Sequence, residues 1–290
     1  MSAFEIAGAS AADMELFRAW SDDEGWNPGD TDRLAFAVAD PRGFLVGRRG
    51  GEPVACVSAV RYGAGFGFVG FYIARPEVRG QGYGIQLWNA AMARLDGRLV
   101  GLDGVVAQQD NYRKSGFRSA WNNVRHEGVP VPREVGGAGS GVEVIDARSL
   151  PFAELAAYDR RFFPEPRDSF LAAWTGLPGR TALAAVRDGR VEGLGVIRPC
   201  SGASRIGPLY AATPAVAAAL IQRLAATVPG APDGGAGPVA VDVPDANPAA
   251  LALVSGLGLV PTFEAARMYT GPAPEVDLPG LYGVTSLELG

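Results

Sequence analysis

The sequence predicts an α/β (α+β) protein of two tandem domains, each a mixed, mostly antiparallel sheet flanked by helices. Three observations predict it. The chain has 290 residues, roughly twice the ~150 of an ordinary domain. The order helix, helix, strands, helix, strand, helix, strand occurs twice, without obvious sequence identity between the copies. Between the copies, residues 129–141 read VPVPREVGGAGSG, three Pro or Gly clusters in 13 residues, which is the composition of a linker. The expected division is therefore 1–128, a linker at 129–141, and 142–290.

The elements follow in order. Ser10 and Asp13 read as a capping box with Asp in place of Glu. They open a helix with Met14, Phe17 and Trp20 at helical spacing, which stops by Gly25. Thr31 to Val38 reads as a second short helix, ended by Asp40-Pro41. The period then changes to that of strands. Gly43 to Arg48, Glu52 to Tyr62 and Phe66 to Ala74 form a predicted meander with glycine turns between them. Gly82 to Leu95 reads as a helix, Gly101 to Ala107 as a strand, Asn111 to Ser115 as a short helical segment, and Phe117 to His126 as a last strand. In the second half, helices are expected over Phe152 to Phe162, Asp168 to Thr175, Pro214 to Val228 and Asn247 to Ser255. Strands are expected over Thr181 to Arg187, Val191 to Pro199, Ser204 to Ala211, Val239 to Val243, Arg267 to Thr270 and Tyr282 to Leu289.

Composition removes several classes of function. The chain is 48% hydrophobic and 20% charged, with apolar material enough for a core. Two cysteines, Cys56 and Cys200, cannot build a disulfide scaffold or a four-cysteine zinc site, and the lone His126 argues against a histidine metal site or a Ser-His-Asp triad. A net charge of −5 argues against a nucleic-acid surface. No apolar run is long enough to span a membrane, and Met1-Ser2-Ala3-Phe4-Glu5 has no basic or apolar signal region. A cytoplasmic enzyme without a metal is the expectation. Of the 26 basic residues only Lys114 is a lysine.

The informative stretch is Arg79-Gly80-Gln81-Gly82-Tyr83-Gly84, after a predicted strand and before a predicted helix. Three glycines at alternate positions let the backbone turn tightly and point its N–H groups at one place. The helix that follows adds its free N–H groups and the positive end of its dipole. Together they make a cradle for a pyrophosphate, with Arg79 as a further cation. The pattern is neither a Walker loop, which needs Gly-Lys-Ser/Thr, nor a Rossmann turn, which follows the first strand of a parallel unit.

At this point residues 3 to 127 resemble the GNAT superfamily of N-acetyltransferases. The family's acetyl-CoA motif, Arg/Gln-x-x-Gly-x-Gly/Ala after a strand, is matched by Arg79, Gly82 and Gly84. Its late signature, Tyr-x-Lys-x-Gly-Phe, is matched by Tyr112, Lys114, Gly116 and Phe117. The resemblance implies a splayed sheet, with the pantetheine arm beside Tyr72, Ile73 and Ala74 and the diphosphate on the backbone of residues 79–84. It implies that a backbone N–H near Ile73 holds the thioester oxygen and that Tyr112 protonates the departing sulfur. A phenol, with a pKa of about 10, arrives protonated; the alternative for Tyr112 is a packing aromatic. Asn111 and Lys114 are expected near the cofactor. Two carboxylates are candidate bases: Glu24, in the loop that lines the acceptor pocket in the family, and Asp103, in the strand beside the splay. Each reads equally as a cap or turn residue.

Asn247 to Leu259 resembles the same late signature, with Val254 where the tyrosine would be, and Pro208 to Pro214 lacks the glycine motif. The second half thus resembles a degenerate GNAT copy that closes the acceptor pocket and supports the first half. The expected reaction moves an acetyl or short acyl group from acetyl-CoA to a small amine, in a monomer or homodimer that binds neither nucleic acid nor membrane. Two alternatives remain: a CoA-binding sensor without turnover, and a tandem acyltransferase resembling mycothiol synthase, whose second half carries the cofactor motif.

Overall fold

The computed structural model describes residues 3–132, 141–228 and 236–290. The expected linker therefore lies mostly outside the described residues. Its first part is tied down, because the Val131 amide donates to the Leu257 carbonyl at 2.9 Å.

The first half runs β1 (Phe4–Gly8), α1 (Ala11–Asp23), α2 (Asp32–Ala39), β2 (Phe44–Arg49), β3 (Glu52–Tyr62), β4 (Phe66–Ala74), α3 (Tyr83–Arg94), β5 (Leu99–Val105), α4 (Gln109–Lys114) and β6 (Arg118–Gly128). The Ser10 capping box forms as the sequence predicts, with the Asp13 amide donating to Ser10 Oγ and the Ser10 amide to Asp13 Oδ2. Strand β1 is not legible in the sequence. It is mostly exposed and exists through its antiparallel pairing with β2, from Phe4 opposite Arg49 to Gly8 opposite Leu45.

The second half repeats the order: β7 (Glu143–Asp146), α5 (Phe152–Asp159), α6 (Asp168–Gly176), β8 (Thr181–Arg187), β9 (Arg190–Arg198), β10 (Ser204–Ala211), α7 (Pro214–Ala225), β11 (Val239–Pro244), α8 (Pro248–Gly256), β12 (Val260–Tyr269) and β13 (Leu281–Gly283). Two expectations need correction. Strand β12 begins at Val260 rather than Arg267; Pro261 and a register shift obscure its first residues, which are held by pairing with β6. Of the strand expected over Tyr282 to Leu289, only its start is extended pairing, and residues 284–290 continue as irregular chain capped by Ser286, whose Oγ accepts from the Leu289 amide at 3.0 Å.

The halves do not form separate sheets. Among the described residues one sheet runs in the order β1-β2-β3-β4-β5-β12-β6-β11-β10-β9-β8-β7, with β13 on β10. Strand β12 of the second half lies between β5 and β6 of the first, and β6 lies between β12 and β11 of the second. The halves thus exchange their last long strands about an approximate two-fold axis between β6 and β12, so a boundary near residue 130 divides the chain but not the sheet.

The exchange is repeated in detail by two buried ion pairs. Asp103 of β5 faces Arg267 of β12, and Asp242 of β11 faces Arg125 of β6, each pair directly opposite across its ladder. Arg267 reaches Asp103 through two bonds of 2.8 Å, and Arg125 reaches Asp242 through Nε at 2.7 Å. A common aromatic layer covers one face. Phe36 of α2 stacks on Phe170 and Trp174 of α6, and Tyr62 of β3 meets Phe163 edge-on. Asp32 of α2, between Arg180 and Arg198 of the second half, closes the same contact with charge. Trp174, Phe162, Phe163 and Tyr210 are all buried in this core.

Candidate active site

Strands β4 and β5 are parallel and pair from Phe66 opposite Leu99 to Val69 opposite Leu102. Beyond that point they part. β5 goes on with β12 alone, Asp103 opposite Arg267 to Val105 opposite Ala265, while β4 goes on with β3 to Ala74 opposite Ala55. A bulge aids the parting: Phe71 and Tyr72 together oppose Val57, and Phe71 adopts φ +49. A bulge kinks and twists its strand. A cavity of about 600 Å³ fills the resulting V.

Its walls come from both halves. Tyr72, Ile73 and Ala74 of β4 line one side, and Leu102, Asp103 and Val105 of β5 the other. Arg79, Gly80, Gly82 and Gly84 line the mouth. Gly80 and Gly82 have φ +76 and +84, and a Cβ built on either meets nothing within 4 Å. Both turns demand glycine, and both face open space where a ligand can approach the backbone. Gly82 is the N-cap of α3, so the free N–H groups of that helix open at the mouth.

Tyr112 sits in the wall, 8% exposed, its ring 5.4 Å from that of Trp88. Gly104 admits it: a Cβ there would lie 2.8 Å from Tyr112 Cδ2. Burial, with a smaller contribution from Tyr72, pushes the Tyr112 hydroxyl pKa above its ordinary value, so the phenol keeps its proton at neutral pH.

The two expected bases are both engaged. Glu24, at the C-cap of α1, pairs with Arg79, which also donates to the Ala74 carbonyl at 2.9 Å. Asp103 accepts from Arg267 and, at 2.8 Å, from Asn123 Nδ2. Burial pushes its carboxyl up while Arg267 opposes the shift. Four other expected side chains lie outside the cavity lining. Gln81 Nε2 donates to the Glu77 carbonyl at 2.9 Å, and the Tyr83 ring lies 4.7 Å from Phe4. Asn111 bonds Gln108, and Lys114 is exposed in the last turn of α4. From this loop and helix start the cavity is lined instead by Arg79, Gly80, Gly82, Gly84 and Ile85.

The second half contributes Phe263 and Ala265 of β12, and Leu287 and Glu288 of the segment after β13. Trp26 completes this side and is held by Arg125, which donates to its carbonyl at 2.9 Å. None of the four second-half residues sits in a local motif. Phe263 and Ala265 reach the cavity through the strand exchange, and Leu287 and Glu288 through the irregular segment after β13.

The corresponding V of the second half is filled. β10 and β11 pair in parallel over Ser204–Ile206 and Val239–Val241. Where they would part, β13 pairs with β10, and the Val284 amide donates to the Asp242 carbonyl at 3.0 Å. Helix α7 is entered through Thr213 and Pro214 rather than glycine, with Thr213 Oγ1 accepting from the Val216 amide. Val254 is buried in α8.

Strands that part around a cavity, a glycine turn opening a helix at its mouth and a buried tyrosine in its wall define an acyltransferase of the splayed-sheet class. Known proteins agree. The acetyltransferase (GNAT) family model matches residues 11–117, and a second acetyltransferase (GNAT) domain model matches residues 155–283. The chain is 32% identical over 285 residues to a holothin acyltransferase of Pseudoalteromonas, covering 97% of this chain and 93% of that protein. A crystal structure of a putative acetyltransferase from Pyrococcus horikoshii superposes with a TM-score of 0.80 at 20% identity, covering 99% of this chain and 96% of that one. A tandem GNAT protein from the clavulanic acid biosynthesis pathway superposes with a TM-score of 0.60 at 17% identity, covering 93% of this chain and all (100%) of that one. The chain belongs to the GNAT acetyltransferase family and is an acyltransferase with two GNAT domains in tandem.

Proposed function

We propose that the protein transfers an acetyl, or another short acyl, group from acetyl-CoA to the amine of a small-molecule acceptor by direct attack. The reading is carried by the parting of β4 and β5 around one cavity, with the glycine mouth at one end and Tyr112 in the wall. The thioester supplies an activated acyl carbon and a thiolate leaving group. The backbone N–H groups of residues 79–84 and the start of α3 receive the diphosphate, and Arg79 adds positive charge beside it. The pantetheine arm lies along Tyr72, Ile73 and Ala74 as an added strand, where the peptide near Ile73 donates to the thioester oxygen as charge develops on it. Tyr112, kept protonated by burial, gives its proton to the departing sulfur.

In this reading residues 1–128 carry acyl-donor binding and residues 142–290 wall the acceptor side through Phe263, Ala265, Leu287 and Glu288. Placing the cofactor in the second half, as in the mycothiol-synthase-like alternative, is disfavoured by β13, which fills the second V. Holothin, the acceptor named for the Pseudoalteromonas relative, heads the amines to try.

Release of free CoA from acetyl-CoA, followed with a panel of amines, tests the reading. Calorimetry is expected to give one CoA site per chain. Tyr112→Phe is expected to keep CoA affinity and to lower kcat by about 10²-fold, the scale of a lost proton donor. Unchanged kcat would leave Tyr112 as packing, and two CoA sites or none would remove the assignment to the first half.

A further inference from the structure

The proposed acetyl transfer needs a group that takes a proton from the attacking amine, and the assignment of that group rests on that reading. Among the described residues three carboxylates line the cavity: Glu24, Asp103 and Glu288. Glu24 is paired with Arg79, and both oxygens of Asp103 are bonded to Arg267. Glu288 differs. Its residue is 4% exposed, and its Oε1 accepts from Arg205 at 3.1 Å. Its Oε2 is buried and has no hydrogen-bond partner among the described residues. A buried acceptor without a donor is costly unless a ligand supplies one.

The position of Glu288 suits that use. A Cβ added to Gly70 would lie 2.0 Å from the Glu288 carbonyl oxygen. Gly70 is the first residue of β4 past the pairing with β5, so the Glu288 backbone packs at the apex of the V. The side chain is also held. Arg205 of β10 is itself fixed by Asp242 at 2.6 Å and by the Asn27 carbonyl at 3.2 Å. The charged groups around Glu288 are Arg205 of β10, Asp242 of β11 and Arg125 of β6, with the Asp103–Arg267 and Glu24–Arg79 pairs across the cavity.

We propose that Glu288 Oε2 accepts a hydrogen bond from the acceptor's amine and takes its proton as the new bond forms. The amine lone pair makes the C–N bond and the N–H proton passes to Oε2. The C–S bond breaks, its electron pair stays on sulfur, and the proton of Tyr112 neutralises it. The apolar neighbours Trp26, Phe263 and Leu287 select the body of the acceptor, an amine on a largely apolar frame. The second domain therefore supplies the base as well as a wall.

The test uses full-length protein, acetyl-CoA and the amine that the wild type turns over fastest in the panel. Glu288→Gln preserves shape and an oxygen for Arg205. It is expected to keep acetyl-CoA affinity by calorimetry and to lower kcat/KM for the amine by about 10²–10⁴-fold, the range for a lost general base. A variant within about threefold of wild type overturns the proposal while leaving the acetyl-transfer reading intact. If Glu288→Gln also loses acetyl-CoA binding, Glu288→Ala with added formate decides: formate that restores turnover supports the base, and formate that does not overturns it. A wild type that binds CoA but acetylates no amine in the panel sinks the acetyl-transfer reading, and this proposal with it.

Discussion

The two V-shaped partings of the sheet are built alike and used differently. In the first half β4 and β5 separate after Val69 and Leu102 and leave a cavity of about 600 Å³. In the second, β10 and β11 pair over a similarly short parallel stretch, and β13 of the same chain enters the space. The entry to the following helix differs in step. Gly80 and Gly82 turn with positive φ before α3, whereas Thr213 and Pro214 cap α7. A strand that satisfies the exposed edge of β10 leaves no backbone for an extended ligand to pair with. The lack of a glycine turn and the presence of β13 thus act in the same direction.

Three further measurements probe the difference between the halves. The largest effect on ligand binding is expected from Gly82→Val. A β-branched side chain at φ +84 is strained, and it projects into the open space where the proposed diphosphate would lie. Calorimetry should show acetyl-CoA affinity lowered by at least about 10²-fold, or about 2.7 kcal/mol. Retained affinity would mean that the open V is not the donor site.

Next come the two equivalent ion pairs. Arg267→Met leaves Asp103 buried with Asn123 as its remaining partner, and breaking a buried pair costs about 3–5 kcal/mol. Arg125→Met leaves Asp242 with Arg205, so the loss should be nearer the ~1.5–3 kcal/mol of a hydrogen bond to a charged group. Urea unfolding of both variants gives the order directly, and equal losses would show that the pairs are not differently supported.

The smallest effect concerns acid. Burial alone would raise the Asp242 carboxyl, but Arg125 and Arg205 outweigh it and hold the pKa well below the usual carboxylate range. A depressed folded pKa contributes stability that is complete above about pH 4, where unfolded carboxylates titrate, and that is lost as pH falls below it. Asp103, with one guanidinium against its burial, is shifted the other way, so its protonation favours the folded state as pH falls. Unfolding free energies between about pH 5 and pH 2 should decline less steeply in Asp242→Asn than in wild type, and more steeply in Asp103→Asn. Identical slopes would remove the electrostatic difference between the halves.

Much of the glycine-turn side of the cavity was legible. Short-range constraints leave marks in sequence: a capping box at Ser10, glycines where φ must be positive, and Tyr112 placed by Gly116 at the end of its helix. The opposite side was not. Glu24 and Asp103 both line the cavity, but the guanidinium groups that occupy them, Arg79 and Arg267, are 55 and 164 residues away. Glu288 carries no local sign of its place, because its environment is made by Arg205, 83 residues away.

The repeated order of elements, the glycine mouth, and the absence of that mouth from the second half were all written in the sequence, because helix period, strand alternation and turn chemistry act over a few neighbouring residues. Tertiary contacts alone set the exchange of β6 and β12, the filling of one parting by β13 while the other stays open, and the carboxylate that reaches the cavity with an oxygen to spare. Those outcomes depend on hydrogen-bond ladders and buried charge between segments far apart in the chain, such as Arg125 and Asp242, 117 residues apart, and no spacing along the chain records them.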